Sequence, residues 1–425
     1  MNRTRAQRPK VLFVAPELPP APLTGAHTRP LSIIQALAAD YDVTVVGAAP
    51  AGANLTALDA AGARVISLDM APYARSITRA ALAAARQLVS PVPLISRGYS
   101  PVIGRLVREA IAQVQPDALH LVSMYSCWYR DERLPAVVDL LDVVSGLCDS
   151  AAAAHPLRYG LASLQKRTSE TLERRELAKM SAVIAINADD ARRLGRLGVK
   201  TTVVPLAMAI PADAELAALM PGSVAPDFTA AAPDSATPGG ERREPRPLSL
   251  LFVGSFLHHP NRASAAFLAR ELVPELKRRR LGFTLTIAGR AANTVEGRTR
   301  NDCVEYVTDP PDLSRLYQCA DIVLVPVAFG GGTKNKTLEA MAWGKPVIGT
   351  PPAFTGISAR DGDAFVSAPL DGPAMADVIA RVAADAQLRA ALGVAGRAYV
   401  LANHSQDVVD ELVRSLYARV LGAGA

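Results

Sequence analysis

Short apolar runs recur along the chain, separated by longer stretches with helical spacing. The first run, VLFVAP from Val11 to Pro16, reads as a buried strand. After the loop ELPPAPLTGAHTR comes PLSIIQALAAD, whose apolar positions return every three to four residues, as on one face of a helix. DVTVVG, RVISLD, ALHLVS, AVVDLLD and AVIAIN follow as further strands, with helical segments among them. Strands this apolar, spaced by helices, predict a parallel sheet covered on both faces.

Beyond TTVVPLAMAIP the periodicity lapses. Residues from Ala212 to Pro247 are rich in Pro, Ala, Gly and charge, which predicts an inter-domain linker with a floppy insert. The alternation then restarts with LSLLFVG as a strand. In ASAAFLARELVPELKRRR, Ala265, Leu268, Leu272 and Leu276 share a helix face, and Pro274 should kink or split that helix. FTLTIAG, CVEYV, DIVLVP and KPVIGT read as strands, TLEAMAWG as a helix stopped by Gly344, and SQDVVDELVRSLYARVL as a closing helix. The expected fold class is therefore α/β, with two Rossmann-like domains whose parallel sheets face across a cleft. The expected division is 1–211, a linker at 212–247, a second domain at 248–402, and a C-terminal helix at 403–425 packing back towards the first. In open sheets of this kind ligands bind beyond the carboxyl ends of the strands.

A chain of 425 residues is too long for one core, which agrees with two domains. The net charge of +6 favours anionic partners without choosing among nucleotides, phosphorylated lipids and nucleic acid. Charge is spread and no recognition motif accompanies it, so nucleic acid is not expected. Cys127, Cys148, Cys303 and Cys319 form no CxxC pair and no zinc spacing, so they read as reduced thiols of a cytoplasmic protein. No apolar run reaches the ~18 residues of a spanning helix. From Tyr73 to Gln113 the chain carries Arg75, Arg79, Arg86, Arg97, Arg105 and Arg108 against Glu109 alone. That stretch suits peripheral contact with an anionic membrane on the cytoplasmic face; a solvated basic face is the plain alternative.

The most informative stretch is GGGTKNKTLEAMAWGKPVIGT, Gly330 to Thr350. A strand runs into glycines, and Thr333 is expected to open a helix. Glycine lets backbone N–H groups approach a ligand closely, and a helix amino end favours anions. Lys334 and Lys336 stand at the end of a helix where acids are normally preferred, which implies a strongly negative ligand. Lys336 and Glu339 share a helical face. A second strand–loop–helix junction, FVGSFLHHPNRAS, puts Gly254 and Ser255 at a strand end and a helix start near Asn261. His258 and His259 lack metal-ligand spacing, and no metal is expected. PLTGAHTRP supplies Gly25, His27 and Arg29 to a loop of the first domain. GxGxxG, GxxxxGK[ST] and GxSxG are all absent.

These segments resemble the retaining nucleotide-sugar glycosyltransferases of family 4, in particular members with GGGT…K.LEAMA in place of EGFG…LEAMA. The resemblance implies the GT-B fold, with a UDP- or GDP-sugar donor held mainly by the second domain and no other cofactor. By position it implies Gly254 and Ser255 at the diphosphate and the Val307 backbone at the base. Gly331, Gly332, Thr333 and Lys334 would meet phosphate and sugar, Lys336 the diphosphate, and Glu339 the ribose hydroxyls. Lys336 and Glu339 are the residues expected to carry catalysis, and Gly25 and Arg29 to close the site from the first domain. This chain departs from the family in having glycine at 331, where many members carry a second glutamate, and Val122 in place of a histidine. His120, on an apolar strand, reads as a core residue; Asp142 has no assigned role. The implied activity is metal-independent transfer of a hexose to a glycan or lipid-linked acceptor in cell-surface polysaccharide synthesis. A GT-B epimerase or phosphorylase, or a non-catalytic sugar-nucleotide or glycan-binding protein, is the alternative.

Overall fold

The computed structural model describes residues 8–19, 25–50, 52–69, 100–146, 148–149, 159–217, 246–295, 302–329 and 332–422. The chain forms two compact units, Met1–Ala207 with His404–Ala425, and Met208–Asn403. Arg75, Arg79, Arg86 and Arg97 of the basic stretch, and residues 218–245 of the expected linker, lie outside the described residues.

The first unit is a seven-stranded sheet in the order β3-β2-β1-β4-β5-β6-β7. Its strands are β1 (Lys10–Glu17), β2 (Asp42–Ala49), β3 (Arg64–Asp69), β4 (Ala118–Val122), β5 (Ala136–Leu140), β6 (Ala182–Ala185) and β7 (Thr202–Val203). Every pairing is parallel. Side chains alternate between the faces of a strand. Leu12 and Val14 of β1 therefore enter one core with Ile103 and Val107 of α2 (Pro101–Val114). Val11 and Phe13 enter the other, with Ile33, Ile34 and Leu37 of α1 (Gly25–Ala38). The C-terminal helix, Gln406–Gly422, completes that second core through Val409, Val413, Leu416 and Tyr417. Burial on both faces explains why these strands read as unbroken apolar runs.

One polar cluster lies inside this unit. Arg29, 2% exposed, grips Asp139 of β5 with two nitrogens, Nη2 to Oδ1 at 2.7 Å and Nε to Oδ2 at 3.0 Å. Its Nη1 donates to the Pro205 carbonyl. His120 of β4 stacks on Phe13 with ring centroids 4.4 Å apart, and its Nδ1 lies 2.8 Å from the Tyr417 hydroxyl. His120 is the buried core residue its apolar strand suggested. Arg29 differs from the expectation: its guanidinium is sealed in the interior, where each of its three nitrogens donates to a protein acceptor.

The second unit is a six-stranded parallel sheet in the order β10-β9-β8-β11-β12-β13. The strands are β8 (Leu248–Val253), β9 (Phe283–Gly289), β10 (Val304–Thr308), β11 (Ile322–Val325), β12 (Val347–Gly349) and β13 (Val366–Ser367). The first helix after β8 is α3 (His259–Phe267). It runs into a π-helical turn, Leu268–Leu272, before resuming over Val273–Arg278. Pro274 has no N–H to give the preceding turn, and the chain accommodates this by widening that turn. A short helix, Asp213–Ala217, opens the stretch expected to be linker. Arg397 fastens it, donating to the Pro211 carbonyl at 2.7 Å and to Asp213 Oδ1 at 2.8 Å.

Burial lowers the pKa of His120 to about 4, against the opposing pull of Asp139. Since that is below the unfolded value of ~6.5, the unfolded chain takes the proton first as pH falls. The contribution of His120 is thus constant above about pH 6.5 and is lost at up to ~1.4 kcal/mol per pH unit down to about pH 4. Urea unfolding of the first unit between pH 7 and pH 4 should show this slope, and His120→Asn should flatten it.

Candidate functional site

In the second sheet the strand order reverses between β8 and β11, and it is at such a switch point that a crevice opens beyond the carboxyl ends. Gly254 and Ser255 follow β8 there. On the other side β11 leads through the glycines into α4 (Asn335–Ala342), whose first turn carries no acidic residue. The helix starts at Asn335, two residues later than expected, with Lys334 flanking it and Gly332 in the left-handed region at φ 68°. Thr337, Leu338, Ala340, Met341 and Ala342 bury its inner face, which turns Lys336 and Glu339 towards the crevice side.

The two loops meet through one side chain. Lys336 Nζ donates to Asn261 Oδ1 at 2.7 Å, and Asn261 Nδ2 donates to the Ser255 carbonyl at 2.8 Å. The ammonium also lies 4.5 Å from the centroid of the Phe252 ring. A Cβ on Gly254 would fall 2.9 Å from Asn261 Cγ and 3.1 Å from Lys336 Nζ, so a side chain at this strand end would displace both groups. Gly289, at the end of β9, is pressed against Gly254 in turn. A Cβ there would stand 2.2 Å from the Gly254 carbonyl oxygen, and its φ of 133° is one that L residues rarely adopt. Lys334 Nζ donates to the Gly332 carbonyl at 2.7 Å.

Burial pushes the Lys336 ammonium down to about 7, with Glu339 pulling upward and Lys334 adding to the fall. Burial raises Glu339, opposed by its hydrogen bond from Tyr317 and by Lys336. The Tyr317 hydroxyl donates to Glu339 Oε2 at 2.8 Å, and its ring stacks on Trp343. A cation and an acid one helical turn apart are each held by a neutral partner. The chemistry on offer is anion binding beside a carboxylate that accepts hydroxyl hydrogen bonds.

Of the residues singled out from the sequence, Gly254, Ser255, Gly332, Thr333, Lys334, Lys336 and Glu339 belong to these two loops and to α4, which follows the second. Gly331 lies outside the described residues. Val307 sits on the edge strand β10, in register with Ala288 of β9 and two strands from β8. Gly25 is the first residue of α1 in the other unit, and Arg29 is in that unit's core. His259 stacks on Phe329, and no group of three potential metal ligands exists among the described residues. Asn261 and Tyr317 were not legible as site residues. Their neutral groups carry no charge pattern, and Asn261 read only as a helix start.

Residues 247–385 match the family described as glycosyl transferases group 1, and residues 24–207 match the glycosyl transferase 4-like domain. The chain belongs to the glycosyltransferases of the GT-B type. No curated protein matches its sequence. Among solved structures it is similar to sucrose-phosphate synthase from Thermosynechococcus elongatus, with a TM-score of 0.68 at 17% identity, covering 98% of this chain and 100% of that one. It is also similar to Anabaena HepE, solved in complex with UDP and glucose, at TM-score 0.63 and 14% identity, covering 96% and 99% of the two chains. A putative UDP-N-acetylglucosamine 2-epimerase from Listeria monocytogenes shares the fold at TM-score 0.53 and 11% identity, over 97% of this chain and 96% of that one. The two domain families are both of glycosyl transferases, and the protein is an enzyme of that class. No helix among the described residues is long and apolar enough to cross a membrane.

The contact between Gly289 and Gly254 is testable by stability alone. Gly289→Ala combines a strained φ with a backbone collision, and should destabilise the second unit by about 1–3 kcal/mol. Differential scanning calorimetry should show a lowered transition, whereas Gly362→Ala, with open space around its Cβ position, should lose less.

Proposed function

We propose that the protein transfers a hexose, with retention of anomeric configuration and without a metal ion, from a UDP- or GDP-sugar to a glycan or lipid-linked acceptor in cell-surface polysaccharide synthesis. The observation that carries this reading is the buried Lys336 ammonium at the β8–β11 switch point, joined to the Gly254–Ser255 loop through Asn261. HepE, which has been solved with UDP and with UDP-glucose, supports the donor class.

When the bond from the anomeric carbon to the diphosphate breaks, negative charge grows on the leaving oxygen. Lys336, the α4 amino end and the glycine-loop N–H groups stabilise it. The acceptor oxygen attacks from the face the diphosphate leaves, and its proton passes to a departing phosphate oxygen. The products are a glycoside and a nucleoside diphosphate, and no side-chain base is needed. Glu339, held by Tyr317 at one oxygen, keeps the other for the ribose hydroxyls. With glycine at 331 the chain brings no carboxylate at that position to the donor sugar.

In this reading UDP or GDP raises the unfolding temperature, and EDTA does not reverse the effect. Lys336→Ala lowers kcat by about 100- to 1,000-fold, the range for losing one group that meets developing charge. Glu339→Ala weakens nucleotide binding. Product analysis with a radiolabelled donor separates transfer from epimerisation. Calorimetry without heat for any nucleoside diphosphate would falsify the reading.

A further inference from the structure

We infer that Asn261 is the positioning residue of the nucleotide site: its side-chain amide fixes the Lys336 ammonium to the Ser255 loop while leaving the ammonium's charge uncommitted. The inference rests on the donor-site reading and assigns a specific role within it.

The amide's orientation follows from its two partners. An ammonium only donates, so Oδ1 must face Lys336; a carbonyl only accepts, so Nδ2 must face Ser255. Asparagine alone among short side chains offers one acceptor and one donor at this spacing. Alanine would leave a flexible four-carbon stem held only by the Phe252 ring. Aspartate would turn an oxygen towards the Ser255 carbonyl and bind Lys336 as a fixed ion pair. That carboxylate would also stand where a diphosphate is to come.

The neutral choice sets how the site responds to an anion. The charged groups around Lys336 are Glu339 on its own helix and Lys334 just before it. The groups that face it from β8 and α3, Phe252, Gly254 and Asn261, are uncharged. With burial holding the group down at about 7, a solution at pH 8 contains mostly the neutral amine. An arriving diphosphate favours the charged form, so binding at pH 8 should draw a proton from solvent.

Isothermal titration calorimetry with UDP and GDP tests this, at pH 6 and pH 8, in buffers of differing ionisation enthalpy that count protons taken up. The wild-type protein should bind at both pH values and take up protons at pH 8. Asn261→Ala should bind about tenfold more weakly at pH 6, the loss expected for one charge-assisted hydrogen bond. Asn261→Asp, nearly isosteric and expected to fold even if the alanine variant does not, should bind more weakly at both pH values. It should also lose the uptake at pH 8, because its carboxylate keeps Lys336 protonated. If Asn261→Asp binds within twofold of wild type with an unchanged proton count, the role of Asn261 is overturned and the donor site stands. If the wild-type protein binds neither nucleotide, the donor reading falls and this inference with it.

Discussion

An ammonium group kept largely out of water, between partners that carry no charge, sets the terms for the second unit. Lys336 and Asn261 occupy the space above the Gly254 backbone, where a side chain on residue 254 would push them aside. Gly254 in turn is pressed against the end of β9, so Gly289 has none either. The ladder is tied off around these glycines: Gly254 N–H donates to Ala288 O at 3.0 Å, and Asp309 N–H donates to Gly289 O at 3.1 Å. Bare backbone beside a cation thus links three strand ends, and the close approach of Gly254 explains a glycine at 289 that a propensity argument would count only as a weak strand residue.

The first unit holds a cation too, and the comparison shows what makes one available to a ligand. Arg29 is matched by a carboxylate gripped at two nitrogens and by a main-chain carbonyl, with 2% of its surface exposed. Such a guanidinium is complete within the protein, and removing its partner would leave an uncompensated buried charge. Lys336 has one hydrogen bond to a neutral amide and a ring beneath it. Its nearest acid, Glu339, is itself tied to Tyr317. Lys336 therefore has a weaker hold on protein acceptors than Arg29 has, with Glu339 as its nearby counter-charge but no carboxylate among the described residues in direct contact.

This contrast also marks what could be read from the residues. The strands were legible because burial on both faces leaves continuous apolar runs, and Pro274 announced the break in its helix. The glycine–lysine pattern before α4 was legible because cations at a helix amino end violate a strong local preference. Arg29 was misplaced because a residue behind a glycine loop gives no sign of whether it turns inward. Its partner Asp139 lies inside AVVDLLD, an apolar run in which only Asp142 was singled out, without a role. Asn261 and Tyr317 act through uncharged side chains, and only tertiary structure brings Asn261 to Lys336 across 75 residues.

A desolvated lysine also suits bond breaking better than a solvated one would. A fully hydrated ammonium interacts with the ground-state diphosphate and the departing diphosphate almost alike, because water screens both. Here the neighbours are an aromatic ring, an amide and peptide groups, none of which reorganises much as charge grows. In the proposed reaction the field of the ammonium would be felt most where negative charge increases, on the oxygen that leaves the anomeric carbon. Interactions that strengthen between ground state and transition state raise kcat, whereas those that bind both equally lower KM alone. In that reaction, placing the cation beside a neutral amide would trade some affinity for the nucleotide against that difference, which is a reason for asparagine at 261 where an acid would hold Lys336 more tightly.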